Sequence, residues 1–123
     1  MDMKLVLDLH DWFLKGKVEE LEHKIAFLEG DLRKDEANLY KARRNVFDIF
    51  RKMAVVSRKQ GENAVEAYRR HLTVIPQNWV EAREEAIKHG DAHRLAVEDM
   101  KLSALHEIVQ HLMATMGEGG QGQ

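Results

Sequence analysis

The chain has 123 residues, 33% charged and 44% hydrophobic, with 19 Lys+Arg against 21 Asp+Glu. That mixture is too apolar for a disordered chain, and no apolar run approaches the roughly 18 residues of a membrane span. The absence of cysteine excludes disulfide frameworks, thiolate zinc sites and cysteine nucleophiles, and sparse β-branched residues argue against an all-β fold.

The opening MDMKLVLDLHDW places acids inside its apolar stretch and has no small-residue cleavage site. It does not read as a secretory signal, and a cytoplasmic location is expected. From residue 14 a heptad begins. With Val18 at an a position, the a and d sites through 56 are Leu14, Val18, Leu21, Ile25, Leu28, Leu32, Asp35, Leu39, Ala42, Val46, Ile49, Met53 and Val56. All but Asp35 are apolar, the spacing of an amphipathic helix with a coiled-coil seam. Gly16 and Gly30 fall on outward positions, where each costs about 1 kcal/mol of helix propensity and removes no core contact.

Glu29-Gly30-Asp31 admits two foldings. If the helix continues, residues 3–60 form one rod roughly 85 Å long, and the seam crosses Gly30 without a shift of phase, which favours continuity. Alternatively Gly30 stops one helix and Asp31 caps the next. Breaks at Gly30, Gly61 and Gly90 would then make a compact up-down four-helix bundle. After Gly61, Asn63 with Glu66 resembles a capping box, and Asn78 with Glu81 resembles another after the block imposed by Pro76. The seam returns as Leu95, Glu98, Leu102, Leu105, Val109, Leu112 and Met116, while GEGGQGQ at 117–123 has nothing to bury and is expected to be disordered. The expected architecture is therefore all-α: one helical domain over 1–116, with a long N-terminal helix packed antiparallel with C-terminal helices in a coiled-coil-like bundle.

Trp12, Phe13, Phe47 and Phe50 widen the apolar face and read as core residues. A seam this long exceeds what the remaining chain can cover. Leu14, Val18, Leu21, Ile25, Leu28, Leu32 and Leu39 are thus expected to form an oligomer seam, most simply in a homodimer. Asp35 and Glu98, polar within the seams, read as register-setting residues.

Charge divides the chain into thirds: residues 1–36 carry −4, 37–72 carry +6 and 73–123 carry −4. In the basic third Arg44, Arg51 and Arg58 share the outward position of successive heptads, flanked by Lys41, Arg43, Lys52, Lys59, Arg69 and Arg70. This stripe suits an acidic protein partner or, alternatively, nucleic-acid phosphates. It also suits intramolecular pairing with Glu81, Glu84 and Glu85. Glu85, His89 and His93 would share one face of an unbroken helix and are a weak metal candidate, although Gly90-Asp91 between them signals a break. His10-Asp11 lacks the upstream histidine of a phosphohydrolase, and no phosphate loop or nucleophile elbow occurs. No cofactor is expected. The functional expectation is a non-enzymatic adaptor or scaffold module that works through oligomeric packing and a basic surface.

Overall fold

The computed structural model describes residues 2–117, and among them every regular element is helical. Five α-helices, α1 (Met3–Gly30), α2 (Lys34–Arg58), α3 (Ala64–Val74), α4 (Gln77–Lys88) and α5 (Ala92–Thr115), are joined by short turns, with a 3₁₀ turn at Gly61–Asn63. This is the expected all-α bundle. All of the expected disordered tail except Gly117 lies outside the described residues.

The long N-terminal rod is not formed; the chain takes the alternative, with breaks beside Gly30, Gly61 and Gly90. Helices α1 and α2 are an antiparallel hairpin, since Glu29 meets Lys41 at 2.7 Å while Asp8 meets Arg58 at 2.8 Å. Reversal lets Ile25 and Leu28 pack on Ala37 and Tyr40, burial that a straight rod cannot achieve within one chain. At the turn the Leu32 N–H donates to the Glu29 carbonyl at 3.1 Å and the Arg33 N–H to that of Leu28 at 2.8 Å. This pattern requires a left-handed residue. That residue is Leu32, with φ 60, not the expected Gly30, and α2 starts behind Arg33 rather than behind an Asp31 cap.

The same hydrogen-bond pattern ends α4, where Gly90 donates to Ile87 at 3.2 Å and Asp91 to Ala86 at 2.8 Å. Here the left-handed residue is a glycine, φ 66, and the Asp91 side chain then caps α5 by accepting from the Arg94 N–H at 3.0 Å. Two of the other expected caps differ. Asn63 precedes α3 without a side-chain capping bond, and Asn78 lies inside α4, which begins behind Pro76.

Helix α5 runs antiparallel to both α1 and α4, with Lys17 3.6 Å from Glu107 and Arg83 2.5 Å from Asp99. The main core joins Leu7 and Leu14 of α1 to Phe47 and Phe50 of α2, Tyr68 of α3 and Ile108 of α5. On α2 the buried positions are Ala37, Val46, Phe47, Phe50, Ala54 and Ser57. Past Val46 the seam thus slips by one residue from the expected Ile49, Met53 and Val56. The segment VFDIFRKMAVV is apolar in both phases, which concealed the slip.

Candidate functional site

The expected oligomer seam is sealed inside one chain. Leu14, Val18, Leu21, Ile25 and Leu28 are between 0 and 8% exposed, Leu39 is half-buried, and Leu32 leaves the seam at the turn. The surplus of uncovered seam that called for a second polypeptide is therefore absent at these positions. Asp35 is also outside the seam, exposed in the first turn of α2. Glu98 is buried beside Lys101, whose Nζ lies 3.4 Å from its carboxylate.

The basic stripe is partly neutralised by α1. Lys41 pairs with Glu29, Arg58 with Asp8, and the Arg51 Nε lies 3.8 Å from the Asp11 carboxylate. Arg43 binds Glu107. The hairpin thus lays the acidic first third on the basic second third, and the partners of these three stripe residues are carboxylates of α1, not Glu81, Glu84 and Glu85. Arg44 is half-buried and donates to the Asn45 side chain at 3.1 and 3.3 Å. Lys59, Arg69 and Arg70 are exposed. Arg69 and Arg70 line a groove of about 370 Å³ with Glu66, Thr73 and Val74.

The metal candidate is dispersed. Glu85 lies on α4, His89 on its C-cap and His93 on α5, separated by the left-handed Gly90. His89 instead meets Glu85 at 3.4 Å on the surface, and among the described residues no group of three metal-ligating side chains converges.

Two features were not anticipated. The first is a polar chain through the core. The His10 Nε2 lies 2.7 Å from the Tyr68 hydroxyl, and the His10 and His111 Nδ1 atoms face each other at 2.9 Å. It ties α1 to α3 and α5. Burial, with the neighbouring His111 imidazole, pushes His10 down to about 3, and burial also lowers His111. Burial holds the Tyr68 phenol above its ordinary range. At neutral pH both rings are uncharged, so one proton lies between the facing nitrogens. Either Tyr68 donates to His10 and His10 to His111, or both bonds reverse. Phe13 stacks on His111 at 3.9 Å with the planes 5° apart. Such a chain orients three helices at no cost in buried charge. A sequence signal existed: His10 stands three residues after Leu7 and four before Leu14, on the buried face.

The second feature is the opposite face of α1. Leu5, Leu9, Trp12 and Phe27 are 45, 38, 72 and 66% exposed. Trp12, expected in the core, is on the surface, whereas Phe47 and Phe50 are buried as expected and Phe13 is half-buried. At 3.6 residues per turn, Leu5, Leu9, Trp12, Gly16, His23 and Phe27 line the side of α1 that points away from the bundle, with the exposed Glu19 and Glu20 on the turn between Gly16 and His23. The spacing was legible beforehand in Leu5, Leu9, Trp12 and Gly16. None of the helices is long and apolar enough to cross a membrane among the described residues. No family model matches the chain, and no curated protein or solved structure is detectably similar to it.

Proposed function

We propose that the chain is a non-enzymatic helical interaction module, an adaptor or scaffold, that docks other polypeptide and forms a homo-oligomer, most simply a dimer, in the cytoplasm. The observation that carries this reading is the run of Leu5, Leu9 and Trp12 on successive turns of α1, left in water. Scattered surface apolar residues need no explanation, but a continuous apolar face marks a contact site. The docking face is thus the outer side of α1 rather than the covered seam. Lys59 and Arg70 remain exposed without an ion pair among the described residues, and they suit an acidic segment on a partner.

Nucleic-acid binding by the same bases draws less support. It needs a row of free cations, whereas Lys41, Arg51 and Arg58 already lie against α1 carboxylates.

The test is affinity capture with mass spectrometry at low and high salt, comparing the wild-type chain with Trp12→Glu after matching their circular dichroism. Docking through α1 predicts a polypeptide that persists in high salt and is lost from the variant. Nucleic acid that is released by salt, with no polypeptide dependent on Trp12, would replace this reading with the phosphate-binding one.

A further inference from the structure

We infer that Asp11, Tyr68, His10 and His111 form one reversible hydrogen-bonded chain through the core, whose direction switches when His111 takes up a proton. It makes the junction of α1, α3 and α5 an acid-responsive switch.

At rest one direction satisfies every group. With Tyr68 donating to the His10 Nε2 at 2.7 Å, His10 carries its proton on Nδ1 and donates to the His111 Nδ1 at 2.9 Å. His111 then carries its own proton on Nε2, on the half-buried ring that water reaches. In the opposite direction His10 donates to the phenol oxygen, and the Tyr68 O–H needs a new acceptor. Tyr68 is fully buried, and a buried hydroxyl left without an acceptor is costly.

Asp11 is that acceptor. Its Oδ1 is enclosed and has no hydrogen-bond partner, since the Arg51 Nε stands 3.8 Å away. Asp11 follows His10 on α1, and its charge acts on the Tyr68 phenol. A buried carboxylate oxygen without a donor, close to a phenol whose proton can turn, is the vacancy that a reversal fills.

The switch takes up one proton. The His10 Nδ1 proton passes to the His111 Nδ1, and the Tyr68 proton passes to the His10 Nε2. Water at the partly exposed Asp11 edge returns a proton to the phenol oxygen, and the new O–H turns to the Asp11 Oδ1. His111 ends as a cation with both nitrogens protonated, and His10 stays neutral with its proton on the other nitrogen. Tyr68 and Asp11 keep their charge states. Phe13, stacked on His111 at 3.9 Å, offers the cation its π face.

Neighbouring charges leave this route open. Lys17 of α1 and Arg43 of α2 bind Glu107 of α5, and Arg51 of α2 lies against Asp11. Helix α3 adds Tyr68 and, next to it, Arg69, which lines a groove with Leu112. Thr115 of α5 gives its hydroxyl proton to the His111 carbonyl and does not compete. Among these groups Asp11 is the carboxylate with an enclosed oxygen still lacking a donor. Burial lowers His111, so the switch is thrown on the acid side of the ordinary histidine range.

Nitrogen-15 NMR of the full chain, labelled at histidine, tests this from about pH 8 to about pH 4, because imidazole shifts separate protonated from bare nitrogens. At the upper end His10 is expected as the Nδ1–H tautomer and His111 as the Nε2–H tautomer. On acidification His111 gains its second proton while His10, still neutral, changes to the Nε2–H tautomer at the same midpoint. His111→Gln should abolish the His10 change with circular dichroism unaltered. Asp11→Leu should lower the His111 midpoint by about one pH unit, an affinity about tenfold weaker, and Asp11→Asn, whose amide oxygen still accepts, by clearly less.

A His10 that keeps its Nδ1 proton while His111 titrates, or that is already protonated on Nε2 at the upper end, overturns the reversal. So does a His10 change that persists in His111→Gln, or a bundle that unfolds before His111 titrates. Equal midpoint shifts in the two Asp11 variants overturn the role of Asp11 as the receiving end.

Discussion

The two faces of α1 carry similar residues and meet different fates. Inward, Leu7, Leu14 and Leu21 are packed against three other helices. Outward, Leu5, Leu9 and Trp12 remain in water. The helical period identifies both stripes and does not say which one the bundle will cover. Coverage follows from reach: the turn at 31–33 folds α2 back along the side that bears Ile25 and Leu28, and α3 and α5 pack on α1 beside it.

The largest effects should come from the inner face. Leu14→Ala is expected to destabilise the chain by about 2–5 kcal/mol, combining lost burial with a residual cavity. Urea unfolding monitored by circular dichroism measures it, and a loss under about 1 kcal/mol would mean that the inner face is not the core.

His10 should make that face sensitive to acid. Its folded-state value of about 3 lies below the ordinary 6.5 of the unfolded chain, so below pH 6.5 the unfolded state binds the extra proton. Stability contributed by neutral His10 is then fully present above pH 6.5 and is lost as pH falls toward 3, at a rate approaching about 1.4 kcal/mol per pH unit. His10→Gln should flatten this acid limb relative to wild type in unfolding titrations between those pH values. An unchanged limb would assign the acid sensitivity to other groups.

The turn that separates the two outcomes offers a smaller effect of opposite sign. Leu32 is 82% exposed and holds a left-handed conformation that costs a non-glycine residue roughly 1–2 kcal/mol. Leu32→Gly relieves that strain and adds some unfolded-state entropy, for a net stabilisation of about 0.5–1 kcal/mol. A lower melting temperature would show that the leucine side chain supports the turn.

Trp12→Ala, on the outer face, should change monomer stability by less than about 0.5 kcal/mol. This near-silence in dilute thermal melts sharpens the contrast with Leu14, and a large loss would place Trp12 in the folding core after all.

The break near Gly90 was legible because glycine and the aspartate after it carry specific turn chemistry, those near Gly30 and Gly61 only as alternatives to a continuous helix, and the buried run from Leu14 to Leu28 was legible from its period. The choice between rod and hairpin was not, because unbroken heptad phase fits both a continuous helix and two helices whose seams face each other. The one-residue slip on α2 was invisible for a related reason: Phe47, Phe50 and Ala54 offer as good an apolar face as Ile49 and Met53. The basic stripe had the right residues and the wrong surroundings, since its readout depended on where α1 would lie. The His10–Tyr68–His111 chain joins residues up to 101 positions apart, a separation that no local pattern encodes.

Helical class, the candidate turn positions and the alternation of charge along the chain are properties of near neighbours, and residue order alone settles them. Which apolar face is covered, which cations are neutralised and which histidines lose their proton depend on distant segments meeting, so only the folded packing decides them. The physical reason is that burial and desolvation act through contact in space, whereas helical period and turn propensity act along the backbone.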